Sequence, residues 1–215
     1  EKHVGPTNHY IISNGVDQKF GYMPGVEKPG PYKDKIVILF TGRYSREKSH
    51  KVLINGAARS KYKDKIQLIL AGSGPQRENL IRHARKKLPI PPVFRFFSHK
   101  ELVEVINYAD LYVHPAEIEI EAISCVEAIF CGKTPIISNS KRSATRHFAL
   151  SEKNLFECNN AADLAAKIDY WIEHPHEREE CSRQYIDFAK QFSFDSCMEK
   201  LEQMLLDMAK EKQGG

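Results

Sequence analysis

The chain has 215 residues, 41% of them hydrophobic, and a formal net charge of +4. That length and apolar fraction allow one sizeable core with extensions, and a mild charge spread along the chain, with no long basic run, gives no nucleic-acid signature while leaving room for an anionic ligand. No apolar stretch approaches the ~20 residues of a membrane span, no signal-peptide pattern opens the chain, and the five cysteines show no CxxC or metal spacing, which reads as reduced thiols in a cytoplasmic protein, peripheral at the inner face of the membrane at most.

Residues 1–33 read as a connector. The apolar patch Tyr10-Ile11-Ile12 leads into Ser13-Asn14-Gly15-Val16-Asp17, where Asn-Gly marks a turn, and Pro24, Pro29, Gly30 and Pro31 then argue against helix. From Lys35 the pattern alternates. Ile36 to Phe40 reads as a strand, Lys48 to Ser60 as a helix, Ile66 to Leu70 as a strand and Gln76 to Lys87 as a helix. Val93 to Phe97 then reads as a strand, Lys100 to Tyr108 as a helix, and Leu111 to Val113 as another strand. Pro135 to Ile137 and Asn154 to Phe156 complete about six strands. From Ala161 the pattern is helical to Lys212, with breaks at Pro175 and at Ser193-Phe194-Asp195-Ser196, and the Gly214-Gly215 tail is expected to fray. Strands separated by helices of this length require right-handed crossovers, so the fold class is α/β: a Rossmann-like three-layer parallel sheet of about six strands, helices on both faces and a helical C-terminal tail. The expected divisions are 1–33 as connector, 34–192 as the Rossmann-like domain, and 193–215 as C-terminal helix and tail.

The chemistry concentrates after Leu111-Tyr112-Val113, in the stretch from His114 to Gly132. A helix is expected to start near Ala122 or Ile123 and to stop at Gly132, with Ile123, Val126, Ile129 and Phe130 on its core face. Free N–H groups at such a start attract an anion, and Glu119 and Glu127 beside it suit hydrogen bonds from sugar hydroxyls. On spacing alone the commoner alternative is a solvated acidic face formed by Glu117, Glu119 and Glu121, complementing the helix dipole. After the first strand, Gly42-Arg43 and Lys48 could hold a diphosphate, or form an ordinary solvated basic loop. Gly72-Ser73-Gly74-Pro75 is short of GxGxxG, which removes the main support for a dinucleotide oxidoreductase, and its first reading is structural, starting a helix at Pro75. Phe96 reads first as core; Phe97 reads as either core or site. His50, His114 and His147 lack paired metal spacing and read as ordinary polar or core residues, with His114 bordering the site.

The string Glu119-x7-Glu127, followed by Ala128, Cys131-Gly132 and Pro135-Ile136-Ile137, resembles the E-x7-E signature of the GT-B glycosyltransferases, in particular the retaining family four. Gly42-Arg43-x4-Lys48 is similar to the same family's phosphate-gripping element, and Ile12-Ser13-Asn14-Gly15-Val16-Asp17 resembles its interdomain connector. Two departures stand out: Ile120-Glu121-Ala122 replaces Gly-Phe-Gly, and Ser49 replaces a frequent glycine, read from sequence as a small change.

The resemblance implies the C-terminal, donor-binding half of a retaining glycosyltransferase, moving a hexosyl group from a nucleotide sugar to a glycan or lipid. The donor is a substrate rather than a cofactor, a UDP-sugar foremost, and no metal is required. Catalytic roles fall on Arg43, Lys48, Glu119 and Glu127. Donor contacts fall on these four and on Gly42, Phe97, Ile120, Glu121, Ala122 and Ile123. Acceptor-side groups would belong to an N-terminal domain of the same protein, so the chain reads as a fragment that transfers no sugar alone, a natural short protein being the alternative. Lys141, Arg142 and Arg146 lie in a stretch loosely similar to bacterial diacylglycerol glucosyltransferases, which implies a lipid acceptor at a membrane surface. A nucleotide-sugar epimerase of the same architecture and a non-catalytic nucleotide-binding module are the competing readings.

Overall fold

The computed structural model describes Tyr10 and residues 12–213. The first nine connector residues, Ile11 of the apolar patch and the Gly214-Gly215 tail lie outside the described residues.

Six strands form one parallel sheet: β1 (Ile36–Thr41), β2 (Ile66–Ala71), β3 (Val93–Arg95), β4 (Leu111–His114), β5 (Pro135–Ser138) and β6 (Leu155–Phe156), in the order β3-β2-β1-β4-β5-β6. The helices are α1 (His50–Arg59), α2 (Arg77–Arg85), α3 (His99–Tyr108), α4 (Ile123–Phe130), α5 (Ala161–Glu173), α6 (Pro175–Ala189) and α7 (Phe194–Gln213). β1 lies at the centre, with Ile36 opposite Ile66 of β2 and Ile38 opposite Leu111 of β4. Its residues Val37 to Phe40 are wholly buried, which is why it is continuously apolar rather than alternating.

The chain winds from β1 out to β3 and returns through α3 to β4 on the other side of β1. The connections that leave β1 and β4 therefore diverge, opening a crevice beyond Thr41 and His114, where doubly wound sheets take their ligands. α1 packs beside α2 and α5, and α4 packs beside α6. The α1–α5 contact is close enough that a Cβ on Gly56 would meet Leu164 at 2.8 Å.

The helical breaks fall where proline and serine place them. Pro175 occupies the first turn of α6, and the Ser193 hydroxyl accepts from the Ser196 N–H at 3.2 Å to start α7. β3 is shorter than expected. It ends at Arg95, and Ser98 caps α3 in a reciprocal box with Glu101, so Phe96 and Phe97 form the link between them. Phe96 is consequently 73% exposed and is not a core residue, whereas Phe97 is half-buried against the core with the Arg95 guanidinium 4.8 Å above its ring.

Candidate active site

Two helices open onto the crevice, and neither has a side-chain cap. α1 starts from Ser49 (φ 50°, ψ 34°) and α4 from Ala122 (φ 56°, ψ 49°), both left-handed and both at positions where glycine is the easy choice. The change at Ser49 is therefore not small. A Cβ in this conformation costs roughly 1–2 kcal/mol. Ala122→Gly should recover part of this against the greater freedom of glycine in the unfolded chain, a net gain of ~0.5–1 kcal/mol readable as a rise of about 2–3 °C in Tm. An unchanged or lower Tm would show that Ala122 is not strained.

The uncapped N–H groups at Ile123 and at the start of α1 remain available to an anion. Between the two helices, Lys48 and Glu119 form a short, largely buried ion pair across 71 residues of sequence. His114 Nε2 lies 3.5 Å from the same Glu119 oxygen, beyond a well-made hydrogen bond. Burial by itself would raise the Glu119 carboxyl. The contacts of His114 and Lys48, with the Lys48 charge, outweigh it and bring the carboxyl down to about 2. Burial lowers the pKa of His114 and keeps its imidazole neutral, and the Tyr112 hydroxyl stands 3.3 Å from Nδ1.

Buried polar side-chain atoms left without a partner gather at this edge. Among the described residues they are Thr41 Oγ1 and Ser138 Oγ, at the last positions of β1 and β5, and both ring nitrogens of His50 at the start of α1, while His114 Nε2, at the end of β4, has only the long 3.5 Å approach to Glu119. An unpaired buried polar atom costs roughly 1–3 kcal/mol, a cost that a polar ligand at this sheet edge would relieve. His50, packed edge-on to Phe40 and Tyr44, is held down to about 4 by burial.

Glu127 is half-buried on α4, with no side-chain hydrogen bond or ion pair among the described residues, and burial raises its carboxyl to about 7. Arg43 is exposed on the β1–α1 loop, where its guanidinium makes no side-chain hydrogen bond or ion pair among the described residues and acts on Glu47 through its charge alone. Gly42 sits under the neighbouring loop: a Cβ on Gly72 (φ 152°) would fall 2.1 Å from the Gly42 carbonyl oxygen, and one on Gly74 2.7 Å from that of Tyr44. The Tyr44 N–H donates to Ser73 O at 2.8 Å and the Gln76 N–H to Tyr44 O at 3.0 Å. The glycine pair thus laces two loops together, a structural role other than the helix start at Pro75 read for it, since α2 begins at Arg77.

Ile120 is 90% exposed at the loop tip, and Ile123 is partly buried at the first position of α4. Glu121 turns both carboxylate oxygens to the connector, accepting from the Ser13 hydroxyl at 2.5 Å, the Asn14 N–H at 2.7 Å and the Asn14 side-chain amide. On the far side, Arg142 pairs with Glu117 at 2.5 Å, and the Ala144 N–H donates to Glu119 O at 3.0 Å, stitching the loop after β5 to the loop that carries Glu119. The structure therefore brings Lys48, Glu119 and His114 into contact, places the open start of α4 beside them, and leaves Arg43 and Phe97 on adjoining loops. Thr41, His50 and Ser138 carry no sequence signal of their own. His114 does: it is a histidine ending an otherwise apolar buried strand.

The sequence model of the family described as "Glycosyl transferases group 1" matches residues 26–187. The chain is 32% identical over 172 residues, 75% of its length, to 2-deoxystreptamine N-acetyl-D-glucosaminyltransferase of Niallia circulans. It spans under half the length of the curated relatives it matches, 42% in that case. Among solved structures, it superposes on the catalytic domain of cholesterol-alpha-glucosyltransferase from Helicobacter pylori with a TM-score of 0.71 and 47% identity, over 74% of this chain and 99% of that one. Anabaena HepE in complex with UDP and glucose gives a TM-score of 0.80 at 18% identity, over 92% of this chain and 57% of that one, a likeness of fold.

Proposed function

The chain belongs to the glycosyl transferases group 1 family, and we propose that it is the donor-binding half of a retaining enzyme that moves a hexosyl group from a UDP-sugar, glucose foremost, to a lipid hydroxyl. The observation that carries this reading is the buried Lys48–Glu119 pair at the switch point of the sheet, between two uncapped helices. Breaking the bond from the anomeric carbon to the diphosphate leaves negative charge on the phosphate oxygens and positive character on the sugar. Lys48, Arg43 and the N–H groups opening α4 stabilise the departing charge, and fixed charges in a closed cleft are a large catalytic term. Glu119 accepts from sugar hydroxyls and Glu127 from the ribose. In the unliganded chain Lys48 and Glu119 satisfy each other; a donor offering phosphate to one and hydroxyls to the other replaces both halves of that contact.

Two features favour a lipid acceptor. The Helicobacter pylori relative, 47% identical, is named for cholesterol. Beside the site, the exposed side chains of Ile118 and Ile120 stand near the Glu119 loop, which is stitched to a segment carrying Lys141 and Arg146, a pairing of apolar and cationic groups suited to a membrane surface. The acceptor side is assigned to an N-terminal domain, residues 1–33 to the connector, 34–192 to the donor domain and 193–215 to a C-terminal helix and tail. Alone, the chain is expected to bind donor without turnover.

Thermal shift across a panel of nucleotide sugars tests the reading. At about one hundred times Kd, UDP-glucose should add ~2.7 kcal/mol and raise Tm by roughly 5–10 °C, and Arg43→Ala should remove most of the shift. A panel in which no nucleotide sugar shifts Tm would overturn it.

A further inference from the structure

The connector is fastened at two points one residue apart. Glu121 holds Ser13 and Asn14 through three hydrogen bonds. Just beyond, the Val16 N–H donates to Phe192 O at 2.9 Å, and the Phe194 N–H donates to Val16 O at 3.3 Å. Between them Gly15, at φ 77°, lies so close to the start of α7 that a Cβ there would stand 2.8 Å from Phe194 Cα. Residues 13–16 therefore join the α6–α7 junction to the loop bearing Glu119.

That loop needs an outside tie. Its tip, Ile120, is 90% exposed and supplies no packing, and its last residue, Ala122, resists its own left-handed conformation. Of the loop's three carboxylates, Glu117 binds Arg142, Glu119 binds Lys48, and Glu121 alone reaches the connector. Hydrogen bonds to an ionised acceptor are the stronger class, and three of them on one carboxylate fix both its position and its rotation.

We infer that Glu121 is a positioning residue: it touches no substrate, and by tying the loop to Ser13 and Asn14 it sets where Glu119 stands against Lys48. The effect on donor affinity rests on the assignment of Glu119 to the donor sugar; the tie itself does not.

Hydrogen exchange of the amides in residues 118–124, without ligand, and calorimetry with UDP-glucose test this on the whole chain. Glu121→Ala should speed exchange in that segment while α1 and β1 remain protected, and the Ser13→Ala/Asn14→Ala pair, which leaves only the Asn14 backbone N–H on the carboxylate, should do so to a lesser degree. Glu121→Ala should weaken UDP-glucose by about tenfold and the Ser13→Ala/Asn14→Ala pair by less, with the combination of all three no worse than Glu121→Ala. Glu121→Gln, which keeps an acceptor oxygen, should recover part of both readouts. Unchanged exchange in Glu121→Ala would overturn the tie. Weakened binding in Glu121→Ala with no effect of the Ser13→Ala/Asn14→Ala pair on either readout would also overturn it, and would place Glu121 on the donor directly. Glu119→Ala serves as the control: if it too leaves affinity intact, the donor assignment fails, and the exchange result still decides the tie.

Discussion

Glu127→Gln is expected to stabilise the fold and weaken donor binding in the same variant. Burial lifts this carboxyl from an ordinary 4.5 to about 7 in the folded chain, with no partner to offset it. A group whose pKa is raised on folding contributes stability that is full below its unfolded value and is lost as pH rises through the folded one. At about pH 8 the parent has thus lost a contribution that an uncharged glutamine never had to lose. Discounted for partial exposure, the variant should be ~1–2 kcal/mol more stable there by urea unfolding, and the difference should vanish near pH 4. Donor binding responds in the opposite direction. The ionised carboxylate is a stronger acceptor for a ribose hydroxyl than a neutral one, so parent affinity for UDP-glucose should fall as pH drops through 7 and level off about tenfold lower once the carboxyl is protonated. Glutamine should bind about tenfold more weakly at pH 8 and show no such slope. A parent affinity flat from pH 6 to 8, or a variant less stable at pH 8, would mean that Glu127 is not an unpaired acceptor waiting for ligand.

The architecture is legible in the sequence because its signals are local. Apolar runs bounded by glycine and proline place the six strands, Pro175 opens α6, and Ser193 precedes α7. Ser98-x-x-Glu101 is a capping box, a local signal that starts α3 at His99 and leaves only Phe96 and Phe97 between it and the end of β3. The site divides differently. Glycine, arginine and paired glutamates mark Gly42, Arg43, Lys48, Glu119 and Glu127 through residue type and spacing. The left-handed turns at Ser49 and Ala122 leave no trace in composition, since neither side chain advertises a positive φ. Equally invisible are the Glu121 contact with Asn14, 107 residues away, and the unpaired atoms of Thr41 and Ser138 beside His114, which meet only because three parallel strands end together.

Lys48→Ala should cost both stability and donor binding, and a second substitution should separate the two. With Lys48 removed, Glu119 keeps only the neutral His114 at 3.5 Å, and burial, already the largest influence on its carboxyl, is no longer outweighed. Glu119 has its pKa depressed on folding, so its contribution is present above about 4.5 and is lost as pH falls toward 2. The variant should therefore be destabilised by on the order of 2 kcal/mol at neutral pH, and the deficit should shrink below pH 4. UDP-glucose affinity should fall at least a hundredfold, and turnover by an enzyme with both halves by roughly 10²–10³. Adding Glu119→Gln removes the stranded charge, so the double variant should regain most of the lost stability at neutral pH. It should regain none of the affinity, because the phosphate still lacks its cation. Recovery of binding in the double variant would show that Lys48 serves only to neutralise Glu119, and donor recognition would then have to rest on Arg43 and the start of α4.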